Sequence, residues 1–168
     1  MIKKALDLLK ECEGCRLTAY ADSGNVWTIG YGATYYTNYQ KVKEGDTITQ
    51  EEAEQLLLFH VAEFEKSVRL ILDNLVLPDG CIDALVVLAF NIGSAALMKS
   101  TLMKKIKADK NDLDSIEKEW NKWVKCNGKT LPGLVKRRKR EFEIYKENIL
   151  KQYTKTEIYD KYHKCNLK

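Results

Sequence analysis

The hydrophobic period of this chain changes near its start, and the change demands two kinds of backbone side by side. Ile2, Ala5, Leu6, Leu9 and Cys12 recur at spacings of three and four, which puts them on one face of a helix over residues 2–12. From Val26 to Gly32 the pattern alternates instead. Trp27, Ile29 and Tyr31 face one way and Val26, Thr28, Gly30 and Gly32 the other, as in a strand. The second face is small and weakly polar, and leaves room for a ligand or a water. Between the two patterns lies Ala21-Asp22-Ser23-Gly24-Asn25. This is turn chemistry: the aspartate can accept from the backbone two residues on, and the glycine tolerates positive φ.

Two carboxyls stand on different elements of this stretch. Glu13 follows Cys12 at the end of the helix, on the side of Leu9. Glu11 points roughly 200° away from it, into water, at 3.6 residues per turn. Partial burial and the negative end of the helix dipole both favour the neutral acid at Glu13. Such a group can donate a proton to a leaving oxygen. Asp22, in an exposed turn, is expected to stay a carboxylate. One acid and one base set apart by environment are what cleavage of a sugar bond requires.

The whole run, Glu13-Gly14-Cys15-Arg16-Leu17-Thr18-Ala19-Tyr20-Ala21-Asp22 through Thr28-Ile29-Gly30-Tyr31-Gly32, resembles the signature of the phage-type lysozymes. These are the endolysins of glycoside hydrolase family 24, with the pattern E-G-x-R-L-x-A-Y-x-D-x-x-G-x-x-T-I-G-Y-G. Glu13, Asp22 and Thr28 match its glutamate, aspartate and threonine, with eight and five residues between them. Asp83-Ala84-Leu85-Val86, Ala89-Phe90-Asn91-Ile92-Gly93, Ser100-Thr101-Leu102, Trp120, Trp123 and Leu131-Pro132-Gly133-Leu134-Val135-Lys136-Arg137-Arg138 look like later parts of the family. The family's histidine after the second strand glycine is replaced here by Ala33.

The resemblance implies a muramidase that cuts the β-1,4 bond between N-acetylmuramic acid and N-acetylglucosamine. Glu13 would be the general acid, and Asp22 and Thr28 would hold the attacking water. Phe90 and Asn91 are candidate groove contacts. It also implies no cofactor, and a separate hole-forming protein, a holin, to admit a cytoplasmic enzyme to the wall.

The rest of the chain fits an α+β, helix-dominated fold, lysozyme-like, with a small β-hairpin lobe and a helical lobe flanking a cleft. Tyr35 to Asp46 reads as a tyrosine-rich loop or third strand. Thr49-Gln50-Glu51-Glu52 is a capping-box start. It opens a helix to about Leu72, with Ala53, Leu56, Leu57, Val61, Phe64 and Val68 on its apolar stripe. Ile82 to Ile92 is apolar nearly all round and should be a central helix, ended by Gly93. Further helices begin near Ser100 and Asn111, and Pro132 opens the last long one, to about Ile149. Strands are expected only within 17–40. The domain reading is a catalytic domain over 1–148, with a small lobe at 13–48, a bridging helix at 49–72 and a helical lobe at 75–148. Residues 149–168 form an extension of unassigned role.

Composition narrows the alternatives. The chain has 168 residues, a net charge of +4 and no apolar run long enough to span a bilayer, so no membrane anchor is expected. Two lysines near the start lack the apolar core of a secretion signal. The expected location is the host cytoplasm until release to the wall, and the expected state a monomer. Cysteines at 12, 15, 81, 126 and 165 leave one unpaired in any disulfide scheme, which argues for a reducing compartment. Cys12 reads as a small core residue. His60 and His163 stand alone, and no metal site is proposed. The run Lys136-Arg137-Arg138-Lys139-Arg140 suggests nucleic-acid binding, but Glu141, Glu143 and Glu147 follow on the same helix. It is read as a solvated surface that favours an anionic wall and could lend one arginine to Glu13. No nucleic-acid partner is expected. A peptidoglycan-binding module without catalysis is the other alternative.

Overall fold

Asp79–Ile92 forms the helix around which the others pack. Its residues from Gly80 to Ala89 are all buried, as an all-round apolar segment must be. The computed structural model describes residues 1–22 and 24–153. In chain order these form α1 (Lys3–Glu13), β1 (Arg16–Ala21), β2 (Trp27–Gly30), α2 (Gln50–Leu72), α3 (Asp79–Ile92), α4 (Ser94–Lys99), α5 (Thr101–Ala108), α6 (Leu113–Trp120), β3 (Lys125–Cys126), β4 (Lys129–Thr130) and α7 (Pro132–Leu150). The class is α+β and helix-dominated, as expected. His163, Cys165 and most of the expected extension lie outside the described residues.

Helix α1 lacks a side-chain cap of its own, because its N-cap is Ile2. Asp83 of α3 serves instead: its Oδ2 accepts the Ile2 N–H at 2.6 Å. A negative group at a helix N-terminus is favourable, and burial pushes the Asp83 carboxyl above its usual range against that bond. The bond ties α1 to the central helix. Across α3 lies α7, which approaches closely at Gly80. A Cβ there would run into the Asn148 amide. The inward face of α7 carries Phe142, Ile144, Tyr145 and Ile149, all buried. Trp120 of α6 is fully buried beside them, its ring 5.5 Å from that of Tyr145.

Two apolar clusters share one helix. The larger gathers α1, α3, α5, α6 and α7, and takes Ala53, Leu57 and Val61 from α2. The smaller joins Ile29, Ala33 and Val42 of the hairpin region to Leu56 of α2. Leu56 and Leu57 are about 100° apart on the helix, so neighbouring residues enter different cores. The capping box at Thr49 is made in full. The threonine hydroxyl accepts the Glu52 N–H at 3.1 Å, and the Glu52 carboxylate accepts the Thr49 N–H at 2.7 Å.

Several expectations need correction. The buried residues of α1 are Ala5, Leu8 and Leu9, so the inward stripe includes Leu8 and stops short of Cys12. Cys12 is exposed, because the last turn of α1 runs past the edge of the core into a groove. Helix α4 was not expected; it is only six residues long, too short for a clear period. Strand pairing also extends beyond 17–40, through a Thr18–Thr47 bridge and through the β3–β4 hairpin. The turn of that hairpin is Asn127-Gly128, both at positive φ, 49° and 77°. Asn-Gly is the residue pair such a turn favours.

Candidate active site

Glu13 is the last residue of α1, and Gly14 ends the helix with φ 65° while its N–H donates to Lys10 O. That left-handed turn suits glycine, and lets β1 begin two residues later. The glutamate faces into a groove of about 950 Å³. Glu11, Cys12, Asn91, Leu131, Leu134 and Arg137 also line it.

The carboxyl is not the unpaired group that burial and the helix dipole alone would describe. Arg137 Nη1 donates to Glu13 Oε1 at 2.8 Å, with the arginine side chain 6% exposed and the glutamate 21%. The second oxygen, Oε2, faces Gly32, where even a Cβ would stand 3.9 Å away. Glu13 therefore has one anchored oxygen and one turned toward a position without a side chain.

Arg137 is itself held from behind. Its Nε donates to Glu141 Oε1 at 2.9 Å and its Nη2 to the Val87 carbonyl at 3.0 Å. Burial disfavours its charge, yet Glu13 and Glu141 hold the group above its ordinary value. Glu141 is fully buried. The same Oε1 accepts from Arg138 Nη2 at 2.9 Å, and Oε2 accepts from Trp120 Nε1 at 3.1 Å. Arg138 also donates to Asn91 Oδ1 at 3.0 Å. That bond assigns the amide orientation, leaving the Asn91 NH₂ as a donor. Burial pulls Arg138 below the usual arginine value, with Glu141 opposing. Glu141 is pushed up by burial against both arginines and Trp120.

The expectation of a solvated face for this run fails at Glu141, which partners from other elements hold inside. The contrary signal was present: Arg137, Arg138, Glu141, Phe142 and Tyr145 fall at spacings of three and four, on one stripe of α7. Only Lys136, Lys139 and Arg140 of the basic run are exposed. Arg140 grips Glu11 through two bonds, at 2.6 and 2.8 Å, outside the buried network. This ion pair holds the Glu11 carboxyl below its ordinary value.

Asp22 and Thr28 are brought together at Val26. Asp22 Oδ1 accepts the N–H of Gly24 at 2.8 Å and of Val26 at 2.9 Å. The Thr28 hydroxyl donates to the Val26 carbonyl at 3.0 Å, which also accepts the Asp22 N–H. The turn is therefore the expected Asx type, extended by one more bond. The pattern's glycine, three residues after the aspartate, falls on Asn25, which takes φ 59°. Asparagine is among the few other residues enriched there.

The expected open strand face is not open at its centre. Thr28 is 4% exposed, and Gly30 lies against Ile48 and Ala53 of α2. Val26 and Gly32, at its two ends, are exposed, and Gly32 is the one that meets Glu13. Neither Asp22 nor Thr28 lines the larger groove; strand β2 and Gly32 connect them to it. Phe90 packs its ring 5.0 Å from Phe64, while Asn91 reaches the groove wall.

A helical body, a small antiparallel hairpin and a glutamate-lined groove between helix termini define a lysozyme-like glycosidase. The profile of the phage lysozyme family matches residues 10–141. An endolysin of Acyrthosiphon pisum secondary endosymbiont phage 1 is 39% identical over 85% of this chain and 95% of its own. Among solved structures, the endolysin from Escherichia coli O157:H7 phage FAHEc1 superposes with a TM-score of 0.74. It shares 36% identity over 86% of this chain and 91% of that one. The muramidase domain of SpmX from Asticaccaulis excentricus gives 0.73 at 26% identity, covering 86% and 95%. The chain belongs to the phage lysozyme family, and is an enzyme of the muramidase type.

Proposed function

We propose that this chain hydrolyses the β-1,4 bond between N-acetylmuramic acid and N-acetylglucosamine in peptidoglycan, with Glu13 as general acid. The observation that carries the reading is the division of labour on its carboxyl. Oε1 is fixed by Arg137, so Oε2, facing Gly32, is the atom that delivers a proton to the leaving oxygen. A general acid must be both oriented and accessible, and this arrangement supports both.

Asp22 supplies the second carboxyl. Its Oδ1 is occupied by two backbone donors, which leaves Oδ2 to orient and deprotonate a water. The Thr28 oxygen, its proton directed at Val26, accepts a hydrogen bond from the same water. This is the inverting scheme, which requires about 6.5–9.5 Å between carboxyl groups. Asn91 offers its NH₂ to the glycan, and Phe90 supports that helix end from behind.

Residues 1–148 form the catalytic domain in this reading. It has a small lobe at 13–48, α2 as the bridge at 49–72, and a helical lobe at 75–148. Among the described residues no helix is long and apolar enough to cross a membrane. The enzyme acts as a monomer, waits in the host cytoplasm, and reaches the wall through a holin-type pore.

The test is digestion of purified peptidoglycan with anomeric analysis of the released sugars. New reducing ends at muramic acid with inverted configuration support the whole scheme. Retention of configuration overturns the role of Asp22, and absence of reducing ends overturns the function. Glu13→Gln should lower the rate by about 10²–10⁴-fold, the usual contribution of a general acid.

A further inference from the structure

A second groove, of about 460 Å³, is lined by Val26, Thr34, Tyr35, Tyr39 and Lys41. The catalytic scheme above uses none of its side chains. Its outer wall is Tyr39, 65% exposed. The loop here is tightly built. Tyr36 N–H donates to Gln40 O, Tyr39 N–H to Tyr36 O, and Gln40 N–H to the Asn38 side chain, at 2.9, 2.9 and 3.0 Å. A bridge between Tyr35 and Lys41 closes its base.

The ring of Tyr39 is also oriented from behind. Tyr35 lies nearly parallel to it, centroids 6.0 Å apart and planes 16° apart. Phe59 of α2 meets it edge-on at 5.8 Å. Tyr35 in turn stands edge-on to His60 of α2 at 4.5 Å, and His60 Nε2 bonds the Tyr35 carbonyl at 3.0 Å. Tyr35 of the loop and Phe59 of α2 thus hold the exposed Tyr39 ring directly, and His60 of α2 holds Tyr35.

The chemistry of the groove suits a sugar. A pyranose offers a flat face of C–H groups, which stack on an aromatic face, and a rim of hydroxyl and acetamido groups. Lys41 can donate to that rim, and Thr34 can donate or accept. Val26, 46% exposed, offers apolar contact to an acetamido methyl. The same Val26 carries, through its backbone N–H and carbonyl, the bonds that hold Asp22 and Thr28. A ring seated here is therefore registered to the hairpin that carries both residues.

We propose that this groove is a sugar subsite, in which Tyr39 stacks on an N-acetylhexosamine of the glycan strand at a distance from the bond being cut. The proposal rests on the muramidase reading and adds to it a residue that selects for extended strands. Lys41, Thr34 and Val26 line the same groove as Tyr39 and supply its polar and apolar contacts.

The experiment has two arms. In the Glu13→Gln background, β-1,4-linked N-acetylglucosamine oligomers are titrated by calorimetry, with and without Tyr39→Ala. Loss of the stacking face should weaken binding about tenfold, while Tyr39→Trp keeps it. In the otherwise unaltered enzyme, kcat/KM on long glycan strands should fall by a similar factor with Tyr39→Ala. An unchanged melting curve shows that the variant is folded, as expected for so exposed a side chain. If oligomers bind equally with and without Tyr39, the subsite is refuted, even though wall hydrolysis persists. If the unaltered enzyme releases no reducing ends but oligomer binding still depends on Tyr39, the subsite stands and the hydrolytic reading falls.

Discussion

Glu141→Gln is the substitution that most sharply tests how the site is supported. The residue is 0% exposed. It accepts from Arg137 Nε and Arg138 Nη2 on one oxygen and from Trp120 Nε1 on the other. Glutamine has the same shape but only one acceptor oxygen. With that oxygen toward the arginines, its NH₂ meets the Trp120 N–H, donor against donor. Turned over, it meets two guanidinium groups.

The charge balance also breaks. Glu13, Arg137, Glu141 and Arg138 sum to zero, and the variant leaves one excess positive charge in a buried cluster. Removing one partner of a buried pair costs roughly 3–5 kcal/mol, and for a chain of this size the melting temperature should fall by roughly 10 °C. A double variant, Glu141→Leu with Arg138→Met, restores neutrality between Glu13 and Arg137. It leaves both the Trp120 N–H and the Arg137 Nε–H without their acceptor, about 1–3 kcal/mol each. The double variant should therefore also be destabilised, by about 2–6 kcal/mol, but without the excess buried charge. Urea unfolding followed by circular dichroism measures all three proteins. A loss under about 1 kcal/mol for Glu141→Gln, or for the double variant, would refute the reasoning.

Other outcomes follow from the same geometry. Glu11→Gln should leave wall lysis close to that of the unaltered enzyme, because Glu11 is bound to Arg140 at the surface; turbidity loss of a wall suspension compares it with Glu13→Gln. Burial lowers the pKa of His60 from 6.5, against its bond to the Tyr35 carbonyl. The folded state thus takes up the proton later than the unfolded chain. The stability His60 contributes is complete above about pH 6.5 and is lost as pH falls toward the folded value. Urea midpoints should drop between pH 7 and pH 5, and drop less in His60→Gln. Cys81 is buried, its Sγ against the Tyr145 carbonyl, and burial pushes the thiol up to about 12. It should react with a disulfide reagent only on unfolding, whereas the exposed Cys12, Cys15 and Cys126 react in the native protein. A native Cys81 adduct in mass spectrometry would contradict its placement.

Much of the fold was legible because it follows from local rules. The capping box at Thr49, the break at Gly93 and the start of α7 at Pro132 depend on neighbours in sequence. So does the Asx turn at Asp22. The β3–β4 hairpin was equally local and was overlooked, although Asn127-Gly128 announces it. The interiors of long helices were also readable, since a three-to-four period leaves little choice about which face is buried.

The sequence by itself determined where Glu13, Asp22 and Thr28 stand on their elements, because end-of-helix, turn and strand positions are set by short-range chemistry. It also determined that a buried α3 must be enclosed by other helices. Only the tertiary structure decided which arginine reaches Glu13, since residues 13 and 137 meet only when α1 and α7 dock on α3. It likewise decided that Glu141 is buried. A carboxylate can go inside when partners from elsewhere offset its lost hydration, and nothing local to α7 says that Trp120 waits there. Cys12 went the other way. Its phase suited the core, but the core ended one turn before it.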